Sequence, residues 1–203
     1  AAPVLVFVHG GYWQEGSAAD SLFLAPEVHR HGWSYAAVEY SLAPAARVAA
    51  MVDEVRAAVD QLAAASSSIV LVGHSAGAQL AAMTAVTRAV PAVRRVVLVS
   101  GVYELEPLTH TSINDPLQFT DEDLAALSPM RLDAPTNAEL VVVWGEIEPS
   151  AFGRQGRAYA DRLRQFGHDV TSFEVAGRNH FDILFDLADP STRLGAVTLA
   201  ALR

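Results

Sequence analysis

The chain has no cysteine. Disulfides, thiolate metal sites and a cysteine nucleophile are excluded, and the redox compartment cannot be read from it. No apolar run approaches the roughly 18 residues of a membrane-spanning helix, so no membrane association is expected. Basic side chains are scarce, 14 against 23 acidic ones, for a net charge of −9. Nucleic acid and anionic lipid both call for a basic face, and neither is an expected partner. No internal repeat, linker or low-complexity segment occurs. What is present is 203 residues, 51% apolar and 18% charged, which is a globular profile with chain enough for one domain and a substantial core. The cytoplasm is the expected compartment, although the chain opens on Ala1-Ala2-Pro3 without a methionine, as a chain trimmed of a signal peptide would.

Short apolar runs recur along the chain. Val4–Val8, Ser34–Glu39, Ile69–Val72, Val96–Ser100, Leu140–Trp144 and Val170–Val175 read as strands. Helices are predicted between them. The first spans 17–31 and stops at Gly32. The second runs over Pro44–Ala65, where Val48, Met51, Val52, Val55, Val59 and Leu62 fall at three- and four-residue spacing with Pro44 near the start. A third follows Ser75 as far as Val90, with Pro91 at its end, and a fourth spans Phe152–Phe166, closed by Gly167. A last helical segment is broken near Pro190. Continuous apolar strands alternating with helices predict an α/β fold, an open and mostly parallel sheet with helices on both faces. Residues 101–137 have no sustained period and carry Pro107, Pro116, Pro129 and Pro135. They are expected to form a cap-like excursion with one or two short helices over a binding site.

Chemistry-bearing residues fall just after strand ends, the edge at which open α/β sheets bind ligands. Ile69-Val70-Leu71-Val72 runs into Gly73-His74-Ser75-Ala76-Gly77 and then into an alanine-rich helical pattern. This is the strand, sharp turn and helix of a nucleophile elbow, in which the glycines remove Cβ atoms that would strike neighbouring backbone. Ser75 is the candidate nucleophile; a helix-capping serine in a tight turn is the plainer alternative. His9-Gly10-Gly11-Tyr12-Trp13 follows the first strand and can bring backbone N–H groups close to a developing oxyanion. His180 follows the last strand and is the candidate base. For the orienting acid Glu146, Glu148 and Asp182 compete. Glu148 is preferred on loop geometry, since Glu146 lies too near the strand and Asp182 would have to fold back on His180. The order serine, acid, histidine is the one this arrangement uses. His29 and His31 do not share a helix face and have no third ligand nearby, so they are read as surface residues; His110 is read as a loop residue.

Together with Tyr40-Ser41-Leu42-Ala43-Pro44, Trp144-Gly145-Glu146-Ile147-Glu148 and His180-Phe181-Asp182, these motifs make the chain resemble, over essentially its whole length, the kynurenine formamidase (arylformamidase) branch of the α/β-hydrolases, near the hormone-sensitive-lipase-like esterases. The glycine pair followed by an aromatic residue and tryptophan is the most specific part. The resemblance implies an α/β-hydrolase fold with Ser75 as nucleophile, His180 as base and Glu148 as acid, the third residue after the glycine closing the preceding strand. Glutamate stands where the family commonly has aspartate. The family usually carries early strands before the glycine pair, whereas this chain opens on that strand, so either residues ahead of it are absent from this chain or the sheet lacks the usual N-terminal strands.

The implied reaction is hydrolysis of an aryl formamide, N-formylkynurenine-like, or of a small carboxylic ester through an acyl-enzyme. Its oxyanion would be held by the N–H groups of Gly11 and Ala76, with Tyr12 as a third donor. No metal or cofactor is needed. The implied partner is a small-molecule ester or formamide, and a homodimer is compatible with the resemblance. Tyr12, Trp13, Tyr103 and Phe181 are the candidate pocket aromatics, with a role in the core as the alternative for Trp13. A general short-chain carboxylesterase is the nearest competing activity. A non-catalytic ligand-binding protein of this fold is a more distant one, since such a protein would lose or misplace a triad member.

Overall fold

In the computed structural model, which describes residues 2–187 and 189–200, six parallel strands form one sheet. They are β1 (Val4–Val8), β2 (Ser34–Val38), β3 (Ile69–His74), β4 (Val93–Val99), β5 (Glu139–Ile147) and β6 (Val170–Asn179). The strand order is β2-β1-β3-β4-β5-β6. Successive side chains of a strand point to opposite faces, and here both faces are covered. Val4, Val6, Val8, Ile69, Leu71, Val96, Leu98, Leu140 and Val142 belong to one core, whereas Leu5, Phe7, Val70, Val72, Val97, Val99, Val141 and Val143 belong to the other. That double burial is why these strands read as unbroken apolar runs rather than alternating ones.

Eight α-helices accompany the strands among the described residues. α1 (Ala25–Arg30) follows a 3₁₀ segment at Ala18–Leu24, so the helix expected over 17–31 forms in two pieces. α2 (Val48–Ala65) begins later than Pro44. Residues 41–46 are engaged elsewhere: the Ser41 N–H and hydroxyl donate to Glu54, and the Ala43 N–H donates to the Trp13 carbonyl at 2.8 Å. α3 (Ala76–Thr87) stops short of Val90, and Arg88 is already extended. α4 (Asn114–Leu117) and α5 (Asp121–Leu127) lie in the 101–137 excursion, with 3₁₀ turns at Glu106–His110 and Pro129–Arg131. α6 (Ser150–Gln165), α7 (Ile183–Leu187) and α8 (Arg193–Leu199) complete the chain. Helices α2, α3 and α6 cover the first core, and α1, α7 and α8 cover the second. No helix among the described residues is long and apolar enough to cross a membrane.

After β1 the chain builds β2 on one side, then crosses back to place β3 on the other. The reversal leaves a crevice beyond the C-terminal ends of β1 and β3, where ligands of open α/β sheets bind. The glycine loop after β1 and Ser75 after β3 therefore meet at the switch point. Strands β4, β5 and β6 follow in order on one side, so their terminal residues can reach back toward Ser75 in sequence.

The crevice depends on α3 lying close to β1. A Cβ added at Gly77 would stand 2.1 Å from the Val8 carbonyl oxygen and 2.3 Å from that of His9. Both obstacles are backbone, so relief would require α3 to slide off the sheet. Gly77→Ala is expected to cost about 3 kcal/mol or more, lowering the thermal midpoint by roughly 6–12 °C for a chain of this size. A midpoint within a degree or two of wild type in a calorimetric scan would contradict this tight packing.

Candidate active site

Ser75 occupies the turn between β3 and α3 with φ 54 and ψ −117. A non-glycine residue with positive φ costs about 1–3 kcal/mol and persists only where its surroundings fix it. The fixing contacts are visible. The Ser75 N–H donates to the Val99 carbonyl at 2.9 Å, and a Cβ on Gly73 would stand 2.3 Å from the Gly77 carbonyl oxygen. Only glycine at both flanking positions lets the turn close.

His180 Nε2 lies 3.0 Å from Ser75 Oγ, and His180 Nδ1 lies 3.2 Å from Glu148 Oε2. Glu148 is almost fully buried. Its other oxygen accepts the Ser100 hydroxyl at 2.5 Å and the Gly145 N–H at 2.7 Å. Burial alone would raise its pKa, but these hydrogen bonds and the one to His180 outweigh burial and hold the carboxyl below its ordinary range. The competing acids are occupied otherwise. Glu146 accepts the Gly177 N–H at 2.7 Å. Asp182 closes a local turn, accepting the Asn179 N–H at 2.6 Å while the Asn179 side-chain oxygen accepts the N–H groups of Phe181 and Asp182. The ring of Phe152, from α6, packs against that of His180 with centroids 4.4 Å apart.

Opposite the serine, Gly11, Tyr12 and Trp13 all have positive φ, at 114, 51 and 61. At Gly11 a Cβ would meet the Glu15 carbonyl oxygen at 2.1 Å, so glycine is obligatory there. The Gln14 and Glu15 N–H groups both donate to the Gly11 carbonyl and curl the loop. No acceptor among the described residues bonds the N–H groups of Gly11 or Tyr12, and the Ala76 N–H opens α3, where helices leave donors free. Tyr40 braces this loop from below. Its ring stacks on His9 at 4.2 Å and its hydroxyl donates to the His9 carbonyl at 2.9 Å.

A cavity of about 220 Å³ opens onto Ser75 and His180. Phe7, Tyr12, Phe23, Phe181 and Leu184 form its apolar walls, and Gly10, Gly11 and His74 its floor. Among the described residues its acidic lining is Glu15 and Asp20, and no arginine lines it. Two of the candidate pocket aromatics are not there. Trp13 is fully buried, donating from Nε1 to Gln79 Oε1 at 3.1 Å, while Gln79 Nε2 donates to the Leu127 carbonyl. It is the peg that fixes the glycine loop to α3. Tyr103 is also fully buried, stacked on Tyr159 at 4.2 Å. The excursion, too, stays away from the cavity and contributes none of its lining. Its leucines, Leu117, Leu124 and Leu127, are buried in the core shared with α2 and α3.

Three neighbours of the site were not evident from sequence. Ser100 was visible only as the end of a strand, His74 only as the variable position of a glycine-serine motif, and Phe152 only as a helical residue. Among the described residues no three histidine, aspartate or glutamate side chains are grouped as a metal site requires.

The sequence matches the family described as alpha/beta hydrolase fold over residues 5–183. It is similar to the kynurenine formamidase of Salmo salar, with 35% identity over 97% of this chain and 72% of that one. The kynurenine formamidase of Danio rerio is 33% identical over the same shares. Among solved structures, a proposed thioesterase from a Silicibacter species superposes with a TM-score of 0.89 at 30% identity, covering 98% of this chain and 78% of that one. An esterase of Pyrobaculum calidifontis reaches a TM-score of 0.75 at 21% identity, over 98% of this chain and 73% of that one.

Proposed function

The chain belongs to the alpha/beta-hydrolase-fold family, in its kynurenine-formamidase branch, and we propose from this premise that it is a serine hydrolase of aryl formamides or small carboxylic esters. The observation that carries the reading is the unbroken relay from Ser75 through His180 to Glu148, at 3.0 and 3.2 Å, at the floor of an apolar cavity. Ser75 Oγ attacks the substrate carbonyl carbon while His180 Nε2 takes its proton. The oxyanion then accepts hydrogen bonds from the N–H groups of Gly11, Tyr12 and Ala76. Collapse breaks the bond to the amine or alcohol, which leaves with the proton from His180. Water, activated by His180, attacks the acyl group on Ser75 and restores the free serine.

Cavity size and lining support the substrate class. A buried apolar cavity of roughly 150 Å³ takes one benzene ring, so about 220 Å³ suits one aromatic ring with a small acyl group. The Glu15 and Asp20 carboxylates favour a substrate carrying an ammonium group over one carrying only a carboxylate. N-formylkynurenine combines a formyl group and an aromatic ring with a zwitterionic amino-acid tail, whose ammonium group suits the Glu15 and Asp20 side of the cavity if its carboxylate points to solvent. The test is a comparison of kcat/KM for N-formylkynurenine with nitrophenyl acetate and butyrate. The formamide and the acetate are expected to be turned over well ahead of the butyrate, because a formyl group needs almost no acyl pocket. Butyrate hydrolysis far faster than that of the formamide would replace this reading with a general carboxylesterase. No turnover together with no labelling of Ser75 by a fluorophosphonate would leave only a ligand-binding role.

A further inference from the structure

His74 is the residue before the proposed nucleophile, and its ring nitrogen reaches the backbone of the base rather than Ser75. Its Nε2 lies 2.8 Å from the main-chain carbonyl oxygen of His180. Its ring is buried and tilted against the His180 ring, with centroids 4.8 Å apart. The loop that carries His180 is otherwise tied mainly to itself, through the Asn179 and Asp182 turn. Among the described residues this is the one hydrogen bond from the central strand β3 to the backbone of that loop.

We propose that His74 is a positioning residue, whose Nε2–H, donated to the His180 carbonyl, fixes the backbone of the base to the strand that carries the nucleophile. The inference rests on the serine-hydrolase reading above. Ser75 and His74 are adjacent on one rigid strand end, so a bond from His74 to the His180 backbone sets the distance between Ser75 Oγ and His180 Nε2 directly. A displacement of about 1 Å in such a pair can cost on the order of 100-fold in rate.

The ring can donate from Nε2 whether neutral or protonated, and the surroundings keep it neutral. Burial, and then the neighbouring His180, push the His74 pKa down to about 3, against the opposing pull of the His180 carbonyl and Glu148. The titratable groups that act on it are thus His180, on the loop after β6, and Glu148, after β5. A neutral ring with hydrogen on Nε2 donates to the carbonyl and adds no positive charge beside the imidazolium that His180 becomes in the transition state.

The test compares His74→Phe, which keeps the ring and removes the donor, with His74→Gln, whose amide nitrogen can reach the same carbonyl. His74→Phe is expected to lose about 10- to 100-fold in kcat with KM changed less than about threefold, and His74→Gln to recover much of the loss. A purely structural role would lower the fraction of folded, labelable enzyme in both variants without this split or this rescue. If Ser75→Ala abolishes turnover while folded His74→Phe retains wild-type kcat, the positioning role is overturned and the hydrolase reading stands. If Ser75→Ala retains turnover, the hydrolase reading itself fails. Should His74→Phe not fold, nitrogen NMR of the wild-type histidines decides: His74 is expected as the neutral Nε2–H tautomer from about pH 5 to 8. Hydrogen on Nδ1 alone, which leaves Nε2 without a proton to donate, would overturn the proposal.

Discussion

Ser75→Ala is expected to lower kcat for both formamide and ester by a factor on the order of 10⁵ to 10⁶, with a folded protein and little change in thermal midpoint. The hydroxyl makes one side-chain hydrogen bond, to His180 Nε2, and alanine carries the same backbone strain at φ 54 as serine does. The elbow should therefore survive the change while its chemistry does not. A residual rate on the order of 10³ over water is compatible with this, because the N–H groups facing the oxyanion and the cavity walls remain in place. Fluorophosphonate labelling should disappear in parallel. A Ser75→Ala protein that keeps more than about a tenth of wild-type kcat would place the nucleophile elsewhere and undo the reading of the whole cavity.

The parts of this arrangement that were legible in the sequence are those in which local residue type has a single physical use. Strand runs such as Val4–Val8 and Ile69–Val72 could be placed because both their faces are buried, and the Gly73-x-Ser75-x-Gly77 elbow because no side chain but hydrogen fits beside it. Aromatic identity carries no such constraint. Trp13 and Phe181 both flank glycine-loop or histidine motifs, yet one is fully buried against Gln79 and the other stands largely exposed at the cavity rim. Tyr103 was equally undetermined, since its burial comes from Tyr159, which is distant in sequence and on another element. The start of α2 was misjudged for a related reason. The helix is expected from Pro44, but the segment leading into it is held by tertiary bonds to Trp13 and Glu54, and α2 starts only at Val48. The excursion over residues 101–137 has loop composition, and nothing in composition says whether a loop covers a site or braces the back of it.

Between the two candidate acids Glu146 and Glu148, two residues apart, the difference lies in the geometry of β5. β5 continues to Ile147, which pairs with Asn179 after a register shift beyond Gly145. That irregularity sends Glu146 toward the Gly177 N–H on the neighbouring strand and turns Glu148 back under His180. Ser100, itself at φ 51 after β4, lies between the ends of β3 and β5 in the sheet and donates to the Glu148 carboxylate. A two-residue difference in sequence thus becomes a difference between a strand-edge brace and the foot of the relay.

Glu148→Gln is accordingly expected to reduce kcat by roughly 10⁴-fold while leaving the fold in place. The wild-type carboxylate accepts from three donors, Ser100 and Gly145 at one oxygen and His180 Nδ1 at the other. An amide has one oxygen. If that oxygen stays with Ser100 and Gly145, the NH₂ group faces His180 Nδ1 and favours the tautomer with hydrogen on Nε2, which cannot take the proton of Ser75. The same group predicts a pH effect on stability. Because the folded-state pKa of Glu148 is depressed, its contribution is full above the ordinary glutamate value of about 4.3 and is lost as pH falls through the lower folded value. Urea unfolding at neutral pH should find wild type more stable than Glu148→Gln, and the gap should narrow as the medium is acidified below about pH 4. A gap that stays constant on acidification would mean that the carboxylate gains nothing from its three donors on folding, and a kcat within about tenfold of wild type would move the orienting role to another acid.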